Sequence, residues 1–145
     1  MENSPASLAV SGFRVLVVDD FDLVKVMIRT TLTNLGIVHI DEAGDGRDAL
    51  RQIREAHAAN FPFQLVLCDW NMPVMNGIEL LQMTRRSPEF ERLPFIMITA
   101  NAEQKQVFKA LSNGALDYLV KPITPGSLEK KISNILKKIQ KKAVA

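Results

Sequence analysis

Residues 65–81, LVLCDWNMPVMNGIELL, contain an apolar run that ends in a carboxylate. Leu65 to Cys68 is apolar throughout, as in a strand buried on both faces, and Asp69 stands where a turn residue usually follows. A helical pattern of apolar residues begins at Gly77. The stretch therefore predicts a buried strand, a short loop and a helix. The acid at the end of the strand must either be stabilised there by neighbouring groups or form part of a functional site.

The same strand–helix pattern recurs along the chain. Five short apolar runs alternate with five stretches of helical periodicity, which predicts a parallel α/β sheet built from βαβ units. The first, third and fourth runs are almost continuously apolar, as expected when helices cover both faces of a sheet. The predicted strands are 13–18, 37–40, 64–68, 95–98 and 116–120. The predicted helices are about 24–35, a helix capped by Asp45, 77–85, 103–112 and a helix that begins at Pro125.

Length and composition predict one ordinary globular domain. The chain has 145 residues, of which 47% are hydrophobic and 23% charged. We expect the domain to span residues 12–142, between a flexible N-terminal tail at 1–11 and a C-terminal tail at 143–145. No apolar stretch approaches the roughly 18 residues of a membrane-spanning helix. Cys68 is the single cysteine, which excludes an internal disulfide and favours the reducing cytoplasm.

Charge is unevenly spread along the chain. The net charge of +2 is too small to indicate a nucleic-acid partner. The region from Lys130 to Lys142, however, carries six lysines and no acid. These lysines form either a solvated helix face or a docking surface for an acidic partner.

Polar side chains gather where the predicted strands end. Asp19 and Asp20 follow the first strand, and the third, fourth and fifth end at Asp69, Thr99 and Lys121. The carboxyl ends of parallel strands share one edge, where ligands bind, so these side chains are expected to be neighbours. Three adjacent carboxylates repel each other, which raises the pKa of one or more and favours a divalent cation. Oxygen donors alone select a hard ion such as Mg²⁺.

Three further residues carry weaker expectations. Asp22 is predicted to cap the first helix, the alternative being an extra carboxylate at the rim of the acidic site. His39 and His57 lie away from the strand ends and are expected to be a strand residue and a helix residue, not metal ligands.

Four motifs resemble the receiver domains of two-component response regulators. They are VLVVDD (15–20), CDWNMPVMNGIELL (68–81), ITA (98–100) and DYLVKP (117–122), and the likeness extends over about residues 13–140. The resemblance implies a flavodoxin-like, doubly wound, five-stranded parallel sheet of order 2-1-3-4-5, with helices on both faces. It also implies a domain that signals and is not an enzyme, although it assists its own phosphorylation and dephosphorylation.

The resemblance assigns a phosphoacceptor and a metal site. Asp69 would accept a phosphoryl group. Asp20 and Asp69 would bind Mg²⁺ directly, together with the backbone carbonyl of Asn71, and Asp19 would act mainly through a water molecule. Asn71 and Asn101 would tune dephosphorylation, since Asn101 stands where related sequences carry an acid.

The resemblance also assigns groups around the phosphoryl pocket. Thr99 and Lys121 would bind the phosphoryl group, and Ala100 would leave room beside it. Thr99 and the aromatic Tyr118 would form the conformational switch, and the peptide bond before Pro122 would be cis. Phosphoryl transfer needs a nucleophile and neutralisation of charge, and an aspartate, a cation and a lysine supply both.

The residue beside the phosphoacceptor carries an expectation of its own. Trp70 is expected to be a partly exposed loop aromatic whose fluorescence reports metal binding. Pro73 and Gly77 are expected to shape the loop, and Asn76 to cap the next helix.

Two other functions fit the sequence less well. A small phosphatase with an aspartyl nucleophile generally has a second acid two residues later, where this chain has Asn71. A flavodoxin-like cofactor carrier would place a Ser/Thr-rich phosphate loop after the first strand, where Asp19 and Asp20 would repel phosphate.

The resemblance implies protein partners. A sensor histidine kinase or a histidine phosphotransfer protein would supply the phosphoryl group. A downstream protein would bind the face of helix 4, strand 5 and helix 5, as in chemotaxis or flagellar motor control. The chain is expected to act as a stand-alone monomer, with a phosphorelay intermediate, or a receiver from a larger hybrid kinase or transcription regulator, as the alternatives.

Overall fold

The structure is a computed structural model that describes residues 12–100 and 103–144, with side chains up to residue 139. The tail expected at 1–11 and Asn101 lie outside the described residues. The five strands are β1 Arg14–Val18, β2 His39–Ala43, β3 Leu65–Asp69, β4 Phe95–Thr99 and β5 Asp117–Val120. The helices are α1 Asp22–Asn34, α2 Gly46–Ala58, α3 Gly77–Arg85, α4 Gln104–Ser112 and α5 Pro125–Val144, with a 3₁₀ turn at Pro88–Phe90.

The strands form one parallel sheet in the order β2-β1-β3-β4-β5, which confirms the order implied by the resemblance. Val18 pairs in register with Cys68, and Asp69 with Ile98. At the far side Thr99 pairs with Val120. The carboxyl ends of β1, β3, β4 and β5 are therefore level, and their next residues meet at one edge.

Successive residues of each central strand pack on opposite faces of the sheet. Val15 and Val17 belong to the core beneath α1 and α5, whereas Leu16 and Val18 belong to the core beneath α2, α3 and α4. All five residues of β3 and of β4 are buried. Burial on both faces explains why these strands have continuously apolar sequences with no polar alternation.

Two helix caps confirm the sequence-based predictions. The Asp45 side chain accepts a hydrogen bond from the Asp48 amide at the start of α2. The Asn76 side chain accepts from the Glu79 amide, and the Glu79 carboxylate accepts from the Asn76 amide, so α3 begins with a reciprocal capping box.

The predicted cap of α1 is wrong. Asp22 is the first residue inside the helix, and the N-cap is Phe21, whose side chain makes no capping hydrogen bond. The Phe21 amide instead donates to Oδ1 of Asp19 at 2.8 Å. Asp22 lies within 3.5 Å of Lys25 and its side chain is 94% exposed, so it forms a surface ion pair.

The second strand begins later than predicted. Residues 37–40 were expected, but the Ile37 amide donates to Leu32 as part of the turn after α1, and β2 runs from His39 to Ala43. The polar Asp41 and Glu42 made this stretch look unlike a strand. Both pair with arginines, Asp41 with Arg14 and Glu42 with Arg29, which satisfies their charges on an edge strand.

The last helix carries the predicted apolar stripe. Leu128, Ile132, Ile135 and Leu136 are buried against the sheet. The helix continues to Val144, beyond the domain end expected at residue 142. Among the described residues no helix has the length and apolarity needed to cross a bilayer.

Arg85 ties together the edge of the sheet opposite to the acidic residues. Its guanidinium donates to the carbonyl oxygens of Phe90 at 2.9 Å, Leu93 at 2.7 Å and Gly114 at 2.8 Å. Burial lowers the pKa of Arg85 from its usual value. Gly114 has φ +100°, which confirms the predicted stop after α4, and a Cβ there would lie 2.7 Å from Arg85 Nε.

Candidate functional site at the carboxyl edge of the sheet

The structure brings the predicted polar residues to the same edge of the sheet. Asp69 and Thr99 are the last residues of β3 and β4. Asp19 and Asp20 directly follow β1, and Lys121 directly follows β5. Four strands thus supply the three acids, the hydroxyl and the ammonium.

The three carboxylates form one cluster. Asp19, Asp20 and Asp69 each place one carboxylate oxygen within 4.8 Å of those of the other two. Asp19 is fully buried, Asp69 is 3% exposed and Asp20 is exposed. The cluster therefore has a closed inner side and one acid facing solvent.

Lys121 partly neutralises the inner acids. Its Nζ lies 3.0 Å from Oδ1 of Asp69 and 3.9 Å from Oδ2 of Asp19. Its backbone amide donates to the carbonyl of Thr99 at 2.8 Å, which fixes the start of the loop after β5. The bond between Lys121 and Pro122 is cis, as the resemblance implied.

Burial raises the pKa of both inner carboxyls. For Asp69, loss of solvation is the largest cause, Asp20 adds to it, and Lys121 acts in the opposite direction. For Asp19, burial is again the largest cause, and the charges of Asp69 and Asp20 add to it, while the Phe21 amide and Lys121 oppose it. The raised pKa values were expected from repulsion between the acids, but repulsion is secondary to burial.

A hard divalent cation fits this donor set. Oδ2 of Asp19 is buried and accepts no hydrogen bond from any residue in the described ranges. A buried carboxylate oxygen without a donor is costly, and a cation among the three acids would satisfy it. Oxygen donors alone match a hard ion such as Mg²⁺. Within residues 12–100 and 103–144, no other group of three acids, histidines or cysteines is close enough to share an ion.

Both histidines pack against aromatic rings, away from the acidic cluster. His39 lies on β2 with its ring edge-on to Phe61, and His57 lies on α2 with its ring edge-on to Phe90. The predictions that they are a strand residue and a helix residue are confirmed.

The residue after Asp69 anchors the neighbouring loop. The Trp70 amide donates to the carbonyl of Ile98 at 2.8 Å, and its carbonyl accepts from the amide of Gly77 at 2.9 Å. Trp70 is only 9% exposed and belongs to the core, so the expectation of a partly exposed loop aromatic is wrong. A Cβ at Gly77 would overlap the carbonyl oxygen of Asp69, which explains the glycine.

The remaining predicted site residues lie in the loops after β3 and β4 and on strand β5. Ala100 is exposed directly after β4, and Asn71 is exposed two residues after Asp69. Tyr118 is half-buried on the edge strand β5, with Nζ of Lys131 lying 5.6 Å from its ring centre. Their assigned roles, like that of Asn101, stay predictions.

Two structural features near the site were not predicted from the sequence. The amide of Phe21 donates to Asp19, a backbone contact that no side-chain motif reveals. Val74 adopts φ +67° in the loop after β3, a conformation that valine rarely takes and that no sequence pattern signals here.

Fold and site together define a class of protein. A parallel sheet of this order, with three acids and a lysine at its carboxyl edge, is the arrangement that the receiver-domain resemblance implied. The family model described as "Response regulator receiver domain" matches residues 15–133. The chain belongs to the response regulator receiver domain family, whose members are generally signalling domains without enzymatic turnover.

Several relatives carry the name CheY. Over 126 residues the chain is 38% identical to "Chemotaxis protein CheY" of Pseudomonas aeruginosa. The aligned stretch spans 87% of this chain and 98% of that protein. The structure of CheY4 of Vibrio cholerae matches with a TM-score of 0.76 and 31% identity, covering 85% of this chain and 98% of that one. A chain of the CheX–CheY–BeF3–Mg²⁺ complex from Borrelia burgdorferi matches with a TM-score of 0.77 and 27% identity, and the match covers 85% of this chain and 88% of that one.

Proposed function

We propose that this chain is a phosphorylation-dependent switch of two-component signalling, with Asp69 as the phosphoacceptor and Mg²⁺ as its cofactor. One observation carries the proposal: the nearly buried Asp69 carboxylate lies 3.0 Å from Lys121 and within the cluster that it forms with Asp19 and Asp20. A nucleophile, a cation and a metal-binding acid pair are thus gathered at one point of the sheet edge.

The phosphoryl transfer is a single displacement. An oxygen of Asp69 forms a bond to phosphorus, while the bond between phosphorus and the donor atom breaks and leaves its electron pair on the donor. The donor atom is an imidazole nitrogen of a kinase or phosphotransfer histidine, or an acetate oxygen of acetyl phosphate. The product is an acyl phosphate, which water cleaves to restore the Asp69 carboxylate.

Each neighbouring group has a separate part in this step. Bound Mg²⁺ would neutralise charge on the phosphoryl oxygens, held by Asp20, Asp69 and the carbonyl of Asn71, with Asp19 acting through water. The Lys121 ammonium, already at Asp69, pairs with a further phosphoryl oxygen. The Thr99 hydroxyl donates a hydrogen bond, and Ala100 leaves space beside it. Together these groups assist the domain's own phosphorylation and dephosphorylation.

The signal leaves the site through Thr99 and Tyr118. As the phosphoryl group draws the Thr99 hydroxyl inward, the half-buried Tyr118 ring takes up the space, and the surface of α4, β5 and α5 changes shape. A protein partner that prefers the altered surface also stabilises the phosphorylated form, because such coupling is reciprocal. Asn71 and Asn101 set how long the acyl phosphate lasts.

We place the protein in chemotaxis or flagellar motor control, as a cytoplasmic monomer phosphorylated by a sensor histidine kinase. The CheY names of the relatives and the single buried thiol support this assignment. A phosphorelay intermediate is the alternative. A pull-down with the phosphorylated and unphosphorylated forms distinguishes the two functions. A motor-type target binds the phosphorylated form preferentially, whereas a phosphotransfer protein exchanges the phosphoryl group and is retained by neither form.

Intact-mass measurement tests the phosphoacceptor. With acetyl phosphate and Mg²⁺ the wild-type chain should gain one phosphoryl group, and Asp69→Ala should gain none. Asp22→Ala is the matched control, because Asp22 is an exposed acid near the same edge, and it should be phosphorylated fully. An unchanged wild-type mass, or a phosphoryl group mapped to another residue, would contradict the assignment.

A further inference from the structure

The strand β2 is the outermost strand on one side of the sheet, next to β1. An edge strand presents backbone N–H and C=O groups to its open side, where a strand from another molecule can add. Many proteins cover or interrupt such an edge to prevent association. The groups that cover the edge of β2 therefore bear on whether the chain stays a monomer.

Ile40 and Glu42 are the residues of β2 whose backbone groups face the open side. The Asp19 amide donates to the carbonyl of Ala43 at 3.1 Å, so Ala43 faces β1. In a parallel ladder the N–H and C=O of one residue point to the same side, and successive residues alternate between sides. Asp41 therefore also faces β1. Ile40 and Glu42 each direct one donor and one acceptor outward.

Both outward carbonyls already accept hydrogen bonds from side chains. Nη2 of Arg29, on α1, donates to the carbonyl of Ile40 at 3.0 Å. Nε2 of Gln52, on α2, donates to the carbonyl of Glu42 at 2.9 Å. Since α1 and α2 pack on opposite faces of the sheet, the edge is covered from both faces.

Each of these two capping side chains is held by a second contact. Nε of Arg29 donates to the Glu42 carboxylate at 2.8 Å, and Nε2 of Gln52 donates to the Asp48 carboxylate at 3.1 Å. The caps are therefore in place before another strand approaches. A strand added to β2 would compete with both of them for the same carbonyl oxygens.

A second copy of β2 matches this edge once the caps are removed. Two β2 strands related by a two-fold axis at Asp41 are antiparallel, and Ile40 of each lies opposite Glu42 of the other. Each outward N–H then meets an outward C=O of the other copy. Nε of Arg14 donates to Oδ2 of Asp41 at 3.0 Å, which neutralises the acid within its own chain. The two Asp41 side chains can therefore stand opposite each other.

We propose that the outward side of β2 is an interaction surface for a second copy of this chain, and that Arg29 and Gln52 keep this surface closed. With both caps in place the protein stays monomeric. Without them the β2 strands of two copies pair, and the two sheets join into one. The surface lies at the edge opposite to β5 and does not involve Asp69, so the proposal does not rest on phosphorylation.

Removal of both caps tests the closure, in the metal-free and unphosphorylated protein. The wild type should sediment as a monomer, whereas the double variant Arg29→Ala, Gln52→Ala should dimerise. We expect its self-association to be at least about tenfold tighter, because the capping hydrogen bonds no longer have to break. Sedimentation velocity from micromolar to millimolar concentration measures this. A double variant as monomeric as the wild type would overturn the proposal, as would a wild type that already dimerises through β2.

A proline on the edge distinguishes strand pairing from other contacts. Glu42→Pro removes an outward N–H and leaves the ladder between β1 and β2 intact, because Glu42 does not face β1. Added to the double variant, it should abolish the dimer. A dimer that persists would place the contact elsewhere in the molecule and contradict the proposal.

Amide hydrogen exchange locates the contact without a further substitution. In the dimer of the double variant, the amides of Ile40 and Glu42 should exchange several-fold more slowly than in the wild type, because they become hydrogen-bonded across the two-fold axis. Unchanged exchange at both amides in a dimeric sample would rule out pairing through β2.

Arg51→Ala is the matched control for loss of a surface arginine. Arg51 directly precedes Gln52 on α2, and its guanidinium binds Asp48 and Glu55 and not a carbonyl of β2. This variant should sediment as a monomer, like the wild type. Equal dimerisation of Arg51→Ala and the double variant would mean that lost surface charge drives association, and the proposal would be wrong.

Discussion

Lys121 holds its ammonium 3.0 Å from the Asp69 carboxylate, yet the pKa of Asp69 is still raised. The ammonium is partly exposed, so water weakens its pull on the acid, whereas the acid itself is almost fully buried. At neutral pH the metal-free protein thus contains the Asp69 carboxylate, and Lys121 does not fully offset the cost of burying its charge. This relationship decides how stability and metal binding should respond to pH.

Replacing Asp69 by asparagine should stabilise the metal-free protein at pH 7, by about 0.5–2 kcal/mol. A raised carboxyl pKa means that the folded chain binds the proton more tightly than the unfolded chain. The wild type therefore loses stability as pH rises from about 3.8, the ordinary value, through the folded pKa. The gain from Asp69→Asn should be complete above that window and vanish below it.

Thermal unfolding from pH 3.5 to 8 in the presence of a chelator measures this gain. Asp22→Asn is the control, because Asp22 is exposed and should show no such gain. A melting temperature of Asp69→Asn at or below that of the wild type at pH 7 would show that Lys121 compensates the acid fully.

Mg²⁺ should change the emission of Trp70, the only tryptophan of the chain, and should bind more weakly as pH falls. The tryptophan directly follows Asp69 in the chain. Protons compete with the metal for Asp19 and Asp69, whose pKa values are raised chiefly by burial. Fluorescence titration at several pH values measures the apparent Kd.

Asp19→Asn should weaken Mg²⁺ binding at neutral pH, because it removes one of the three charges. Asp22→Asn serves again as the control with an unchanged Kd. A flat titration to millimolar Mg²⁺, or a Kd that does not depend on pH, would count against the metal site.

Val74→Asn should raise the free energy of unfolding by about 1 kcal/mol, since it relieves positive φ at a β-branched residue. The melting temperature should rise by about 3 °C. Val38→Asn is the matched control, an exposed valine at 66% without positive φ, and it should change little. Equal effects of the two substitutions would mean that solubility and not backbone strain is responsible.

Gly77→Ala should destabilise the fold by about 1–3 kcal/mol, because the added methyl would overlap the Asp69 carbonyl and lie 2.9 Å from Met97 Cε. Gly126→Ala, in the first turn of α5 with nothing within 4 Å, should be neutral or stabilising. Denaturant unfolding compares the two. A neutral Gly77→Ala would show that the loop after Asp69 yields easily.

Most of the sheet was predictable because its strands are buried on both faces. Continuous apolar runs such as that of β3 indicate buried strands once they alternate with stretches of helical periodicity. The strand ends then place Asp69 and Lys121 at the same edge, since all strands are parallel. The strand order came from the resemblance and not from periodicity.

The errors arose where tertiary contacts override local pattern. The start of β2 was misplaced because the charges of Asp41 and Glu42 are neutralised by arginines on other elements. The cap of α1 was misassigned because Asp19, and not Asp22, accepts the amide hydrogen bond. Trp70 was expected to be partly exposed, but the loop folds back on it. The contacts of Asp41 and Glu42 join residues distant in sequence, whereas Phe21 and Asp19 are only two residues apart and form a backbone-to-side-chain bond that no side-chain pattern signals.

Arg85 fixes the edge of the sheet that lies opposite to Asp69. One guanidinium there binds three backbone carbonyls in two connections, Phe90 and Leu93 between α3 and β4 and Gly114 between α4 and β5. These bonds hold the residues before β4 and before β5 to the end of α3. The shape change proposed for the surface of α4, β5 and α5 should therefore be smallest near Gly114, where Arg85 holds the turn between α4 and β5, and should grow toward the carboxyl edge.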